Sequence, residues 1–187
     1  MIVLNHDGTS QRKMTVEEFL AWLGTLEGRE RYELDAGEPV AMAPGNVQHV
    51  RATGRLYIGL TAAIGRLGLP CEAFLDGPGV VADEMTYYIP DVSVTCGERI
   101  PDDAGYLSNP VIVVEVLSPS TKRLDKHAKL RGYFRVPSIQ HYVVIDIAER
   151  VVFHHRRAEG GLILTAILRD LALDPPGLTI SARDMFG

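Results

Sequence analysis

The stretch VIVVEVLSPST, Val111 to Thr121, decides how the chain is read. Six apolar residues enclose one acid, Glu115, and the run breaks at Leu-Ser-Pro-Ser-Thr. A short apolar run bounded by a turn signal reads as a buried central strand. A carboxylate inside such a strand costs several kcal/mol in desolvation unless a cation, a metal or hydrogen bonds compensate it. The question the sequence poses is what Glu115 faces.

Working outward, the downstream segment is basic. Lys122, Arg123, Lys126, Lys129, Arg131 and Arg135 stand between Pro119 and Arg135 against a single acid, Asp125. The segment reads as a helix between Pro119 and Pro137. Asp125, Lys129 and Tyr133 are spaced i, i+4, i+8 and share one helical face. This helix follows directly from the strand of Glu115, so Lys129 is expected near the strand's C-terminal end, with Asp125 orienting it. An ordinary i, i+4 ion pair is the plainer alternative.

Upstream, YIPDVSV places Asp91 after Pro90, which cannot donate to a strand ladder, so Asp91 is expected where a loop enters a strand. Alternation puts Asp91, Ser93 and Thr95 on one face, as it does Val113, Glu115 and Leu117. If the two strands are neighbours, Asp91 and Glu115 converge on an oxygen-rich point. Mg²⁺ favours such a point and needs only one or two protein carboxylates beside water and phosphate. Glu33, in YELDAGE, is a third acid of interest. Each has a plainer alternative: a solvated acid for Glu33, a turn cap for Asp91, a structural ion pair for Glu115.

The rest of the chain frames these groups. MTVEEFLAWL carries a capping box, Thr15 with Glu18, ahead of Phe19, Leu20 and Leu23 at helical spacing. RYELDAGEPVAMA reads as a hairpin turning at Asp35-Ala36-Gly37. Residues 47–67 form the longest expected helix, with Val50, Leu56, Leu60, Ile64 and Leu67 as its apolar stripe and Arg51, Arg55 and Arg66 off it. Strands are expected in CEAFLDG, GVVADEMTYYIPDVSVTC, IQHYVVIDI, RVVFHHRR and GLILTAIL, with a short helix from Ser181. The order fits a mixed sheet with helices packed on it, an α/β (α+β) chain. At 187 residues it is expected to be one domain, 1–187, with a core over about 15–155.

Composition narrows the classes. Hydrophobic residues make up 46% and charged residues 23%, an ordinary globular balance. No apolar stretch reaches the ~20 residues that span a bilayer, and no signal-peptide layout opens the chain, so a cytoplasmic, membrane-free protein is expected. Cys71 and Cys96 form no CxxC and read as two buried thiols rather than a disulfide or metal site. The net charge of −5 argues against a general nucleic-acid coat. His154 and His155 lack zinc spacing, whereas His49 opens the long helix and can face the acids.

Taken in order, YELDAGE, His49, PDVSV, VVEVLSPST, the Asp125–Lys129–Tyr133 helix and HYVVID resemble the Uma2 family, placed in the PD-(D/E)XK nuclease superfamily. The resemblance implies a restriction-endonuclease-like mixed β-sheet flanked by helices, with an acidic metal site at its rim. It implies Asp91 and Glu115 as catalytic metal ligands for Mg²⁺ or Mn²⁺, with Glu33 as an additional ligand. The superfamily's lysine would stand at Leu117, and Lys129 is the natural substitute. Lys122, Arg123, Lys126 and Arg131, with Arg51 and Arg55, would contact a nucleic acid, DNA first, and the superfamily's habit implies a homodimer. The rivals are a nucleic-acid-binding or interaction module without catalysis, a glycosidase carboxylate pair (poor for a chain with one tryptophan), and a buried ionic network without chemistry.

Overall fold

The computed structural model describes residues 2–4, 10–28, 30–117, 126–167 and 169–187, with side chains from residue 13 onward except at 126 and 127. The elements run β1 (Ile2–Leu4), β2 (Ser10–Arg12), α1 (Val16–Leu23), β3 (Tyr32–Asp35), β4 (Glu38–Ala41), α2 (Val47–Leu67), β5 (Cys71–Leu75), β6 (Val80–Asp83), β7 (Thr86–Tyr88), β8 (Val92–Cys96) and β9 (Pro110–Leu117). They continue as α3 (Lys126–Tyr133), β10 (His141–Asp146), β11 (Val151–Ala158), β12 (Gly161–Ile167), β13 (Leu171–Leu173), β14 (Leu178–Ile180) and α4 (Ala182–Phe186).

Local chemistry explains the helix boundaries. In α1, Thr15 and Glu18 form the expected reciprocal capping box. In α2, the Asn46 side chain accepts the His49 N–H, and Gly68 ends the helix in the left-handed conformation, φ 61°. Ser181 and Asp184 make a second capping box at α4.

The central sheet has the strand order β12-β11-β10-β9-β8-β5. β9 and β10 run parallel, and the other neighbours are antiparallel. A parallel pair needs a crossover connection, and the segment containing α3 supplies it. This is a mixed α+β sheet flanked by helices, as expected from the sequence.

Each sheet face has its own core. Val92, Val94, Val114 and Val116 face α2, whose Ala52, Leu56, Leu60, Ala63 and Ile64 cover them. On the other face, Val113 and Leu117 pack with Tyr88, Tyr133, Tyr142 and Val144. A four-stranded sheet, β4-β3-β7-β6, carries Glu33 toward this second face. No described helix is long and apolar enough to cross a membrane.

Two expectations are corrected. Val50 and Leu67 are 60% and 51% exposed rather than part of the α2 stripe. Val50 lies about 120° around the helix from Leu56, and Leu67 falls in the last turn at the α2 C-terminus. Cys71 and Cys96 are not free thiols: they are directly opposite one another on β5 and β8 and form a disulfide. The pairing depends on strand register across 25 residues of sequence, which spacing alone does not reveal.

The far side of the sheet is tied down by a buried histidine pair. His141 Nδ1 lies 2.9 Å from His154 Nε2, and His141 Nε2 lies 2.8 Å from the Pro175 carbonyl. The carbonyl can only accept, so His141 donates from Nε2 and accepts from His154 at Nδ1. Both rings are neutral in this arrangement. Burial, aided by neighbouring His141, pushes the His154 pKa down from 6.5 to about 4. The unfolded chain therefore binds more protons than the folded one between these values, and stability rises with pH across that window. Chemical denaturation is expected to show full stability above pH 6.5 and a loss of roughly 1–3 kcal/mol on descending toward pH 4, allowing for partial solvent screening. The His154→Phe variant should lose most of that slope, and an unchanged slope would contradict this account.

Candidate functional site

The site is assembled by β9, β8, β3 and the helices α2 and α3. Glu115 occupies the sixth position of β9 and points toward α3 rather than toward α2. Its Oε1 accepts hydrogen bonds from Lys129 Nζ at 2.9 Å and from the Tyr133 hydroxyl at 2.7 Å. Lys129 and Tyr133, one turn apart on α3, both meet this atom because i and i+4 stack on one helix face. The described residues thus place both of these bonds on Oε1.

Lys129 has a second carboxylate partner. Its Nζ lies 2.9 Å from Glu33 Oε1, which also accepts the Ile89 N–H at 2.8 Å. Beneath the ammonium sits the Tyr88 ring, 5.5 Å from Nζ, and the Tyr88 hydroxyl donates to Asp35 Oδ1 at 2.8 Å. Gly132 makes this approach possible: a Cβ there would meet Tyr88 Cε2 at 2.5 Å. The three charged side chains are only 9–16% exposed.

Asp91 stands at the entry to β8, as expected. The register Val92↔Val114, continued by one step, sets Asp91 opposite Glu115. Its Oδ2 accepts the Val116 N–H at 2.6 Å, and its Oδ1 lies 3.1 Å from His49 Nε2 at the start of α2. The other ring nitrogen, His49 Nδ1, is buried with no hydrogen-bond partner among the described residues.

The electrostatics follow from this packing. Burial pushes the Glu115 pKa up to about 7, against the pull of Lys129, while Asp91 and Glu33 add to the rise. Burial also works against the Lys129 ammonium, but Glu115 and Glu33 outweigh it and hold its pKa above the ordinary lysine value. Donating a hydrogen bond to the Asp91 carboxylate raises the His49 pKa over the opposing effect of burial. Tyr133 is driven well up, by burial first and then by Glu115. Three carboxylates face the Lys129 ammonium and the His49 imidazole, so the site is negative to the extent that Glu115 is ionised and His49 is neutral.

A hard divalent cation fits this donor set in one respect and not in another. Asp91 and Glu115 occupy opposite positions on neighbouring strands, and an added cation would offset negative charge there. Among the described residues, however, no group of three or more His, Cys, Asp or Glu side chains is arranged to hold a metal ion. Glu33 Oε1 is committed to Lys129 and to Ile89, and the Asp91 oxygens are engaged by the Val116 N–H and His49. The arrangement suits a cation that keeps water and substrate oxygens as its other ligands.

The predicted residues therefore separate. Glu33, Glu115, Lys129 and Tyr133 are in direct contact, and Asp91 and His49 adjoin them. Leu117, where the resemblance would set a lysine, is buried in the apolar core, and the Lys129 ammonium reaches Glu115 from α3. Arg131 and Arg51 are exposed, while Arg55 is half-buried. Lys122, Arg123 and Asp125 lie outside the described residues, as does the side chain of Lys126. Sequence reasoning missed Tyr88 and Asp35. The alternation Tyr87-Tyr88 was the available signal: Tyr87 packs with α1 and Tyr88 with α3.

Replacing Lys129 by Met leaves two buried carboxylates without their cation. The variant is expected to lose about 3–5 kcal/mol in denaturant unfolding. A loss below about 1 kcal/mol would mean the pair behaves as a solvated surface bridge.

Comparison with known proteins gives the family and the fold. Residues 16–183 match the model of the Uma2 family, described as "Putative restriction endonuclease". Two Synechocystis sp. (strain ATCC 27184 / PCC 6803 / Kazusa) proteins, slr1290 and sll1609, both described as uncharacterized, are each 29% identical. The first aligns over 81% of this chain and 79% of its own length, the second over 78% and 84%. A crystal structure described as a putative nuclease belonging to DUF820, from Anabaena variabilis, superposes with a TM-score of 0.75 at 20% identity. It covers 92% of this chain and 97% of that one, which shows the shared fold.

Proposed function

The chain belongs to the Uma2 family, and we propose from that premise that it is a metal-dependent nuclease hydrolysing phosphodiester bonds of nucleic acid, DNA first. The observation that carries the reading is the Lys129 ammonium bridging Glu33 and Glu115 beside Asp91. A structural ion pair needs one lysine and one acid. Here extra carboxylate remains at a rim where α2, α3 and both sheets meet.

In this reading Asp91 and Glu115 hold Mg²⁺ or Mn²⁺, whose chemistry when bound is to acidify water and neutralise charge on the phosphate. The protein's own groups do the rest. Val116 N–H and His49 fix the Asp91 carboxylate. Tyr133 and Lys129 hold Glu115 by Oε1 and so leave Oε2 for the cation. Lys129 carries three N–H donors, two of them used by Glu115 and Glu33, and the third serves a phosphate oxygen or the attacking water. Glu33 keeps the ammonium in place and supplies its remaining oxygen to the hydrated cation. Asp125, four residues before Lys129 in the sequence, is assigned to orient it, and Lys122, Arg123, Lys126 and Arg131, with Arg51 and Arg55, to contact the nucleic-acid backbone irrespective of sequence.

Leu117 in place of a strand lysine favours a second reading, a nucleic-acid-binding module on the same fold without catalysis. Plasmid nicking separates the two. Wild-type protein is expected to cut in Mg²⁺ and not in EDTA, and Asp91→Asn and Glu115→Gln, still folded by circular dichroism, should cut at least roughly 100-fold more slowly. Salt-sensitive binding without cutting in any divalent metal would select the second reading. Cutting that survives in folded Glu115→Gln would remove this site from the reaction.

A further inference from the structure

An ion pair with no part in holding the cation lies beside the site. Arg31 precedes β3 and continues its ladder, the Arg31 carbonyl accepting the Met42 N–H at 2.8 Å. Strand alternation puts Arg31 on the same face as Glu33. Its guanidinium donates from Nη1 to Asp76 Oδ1 and from Nη2 to the Asp76 carbonyl, the latter at 2.8 Å. Asp76, just past β5, in turn donates its N–H to the Asp91 carbonyl at 2.9 Å. The pair therefore joins the smaller sheet to the central one, with one partner beside Glu33 in the chain and the other bonded to the backbone of Asp91. A Cβ built on Gly77 would sit 3.8 Å from Ile89 Cγ2 and 3.9 Å from Arg31 Nη2. The guanidinium thus lies next to Ile89, the residue whose N–H holds Glu33.

We infer that Arg31 is a phosphate contact of this site, taking a phosphate group adjacent to the one served by Lys129; the inference rests on the reading of the site as one that binds a phosphodiester. Asp76 uses one donor from each Nη of the fork, and the Arg31 side chain is 38% exposed, so N–H donors remain at the surface. A planar fork matches two oxygens of one phosphate. Position adds to chemistry. A polyanion approaching Glu33, Asp91 and Glu115 meets negative charge when they are ionised, and a guanidinium fixed beside them offsets it.

The backbone at Asp76 argues against a plain surface bridge. Asp76 has φ 60°, in the left-handed region that residues other than glycine enter at a cost. In that conformation its carboxylate and its carbonyl both meet the guanidinium. An exposed ion pair returns little stability, so stability alone does not account for a strained residue that aims one cation at the rim.

Fluorescence anisotropy of a labelled DNA duplex across a range of salt, in Ca²⁺ and with the duplex confirmed intact, tests the inference. Arg31→Gln is expected to raise the Kd by roughly tenfold and to lower the slope of log K against log salt by about one, with an unchanged circular dichroism spectrum. Arg31→Lys keeps the charge and should keep the slope while losing part of the affinity. Asp76→Asn breaks the same ion pair but removes a negative charge, so it should bind at least as tightly as wild type. Weakening by both Arg31→Gln and Asp76→Asn would make the pair a brace between the sheets and overturn the inference, as would wild-type Kd and slope in Arg31→Gln. Plasmid nicking is scored separately. Binding that depends on Arg31 without any cutting leaves this inference standing while hydrolysis fails, and cutting with binding indifferent to Arg31→Gln does the reverse.

Discussion

The structure turns on one ammonium held between two carboxylates in a nearly dry wall. Lys129 comes from α3, Glu115 from the central sheet and Glu33 from the smaller sheet, so this contact joins three separate elements. Moving an acid and a base out of water is costly, and the return depends on geometry and on satisfying the remaining lone pairs. Here Tyr133 and the Ile89 N–H take up those lone pairs, and the Tyr88 ring lies under the cation. Gly132 belongs to the same device, since any side chain there would push α3 off Tyr88.

That contact leaves charge unbalanced, which separates a chemical site from a structural brace. Lys129 alone cannot balance Glu33, Glu115 and Asp91 when all three are ionised, and the His49 imidazole beside Asp91 is the other group that can supply positive charge. Burial drives Glu115 toward its protonated form, and Asp91 across the ladder drives it further. Asp91 is held ready by a backbone N–H and by His49, a ring with one nitrogen buried and unmatched among the described residues. Two acids fixed at a sheet rim, deprived of water but incompletely paired, are the condition under which a hard cation binds.

Much of this was legible in the residues. Glu115 announced itself as an acid in an apolar run, and the i, i+4, i+8 spacing of Asp125, Lys129 and Tyr133 pointed its helix at that strand. The capping box at Thr15, the start of the short helix at Ser181 and the bounds of α2 could be read because they depend on neighbours within four residues. What failed was what depends on distant register. The Cys71–Cys96 bond exists because β5 pairs with β8 in one alignment of several. Val50 looked apolar enough for the core but lies off the buried seam. Tyr88 and Asp35 escaped notice because their roles exist only after β3 and α3 have been brought together by the rest of the chain.

The central claim is that Asp91 and Glu115 form one cation site beside Lys129. Anomalous X-ray scattering from crystals soaked in Mn²⁺ tests it most directly. The account predicts a manganese peak between the Asp91 and Glu115 carboxylates, absent in crystals of Asp91→Asn. Strong peaks elsewhere on the surface with none at this pair would contradict it, and the ionic cluster would then be a brace between two sheets and a helix.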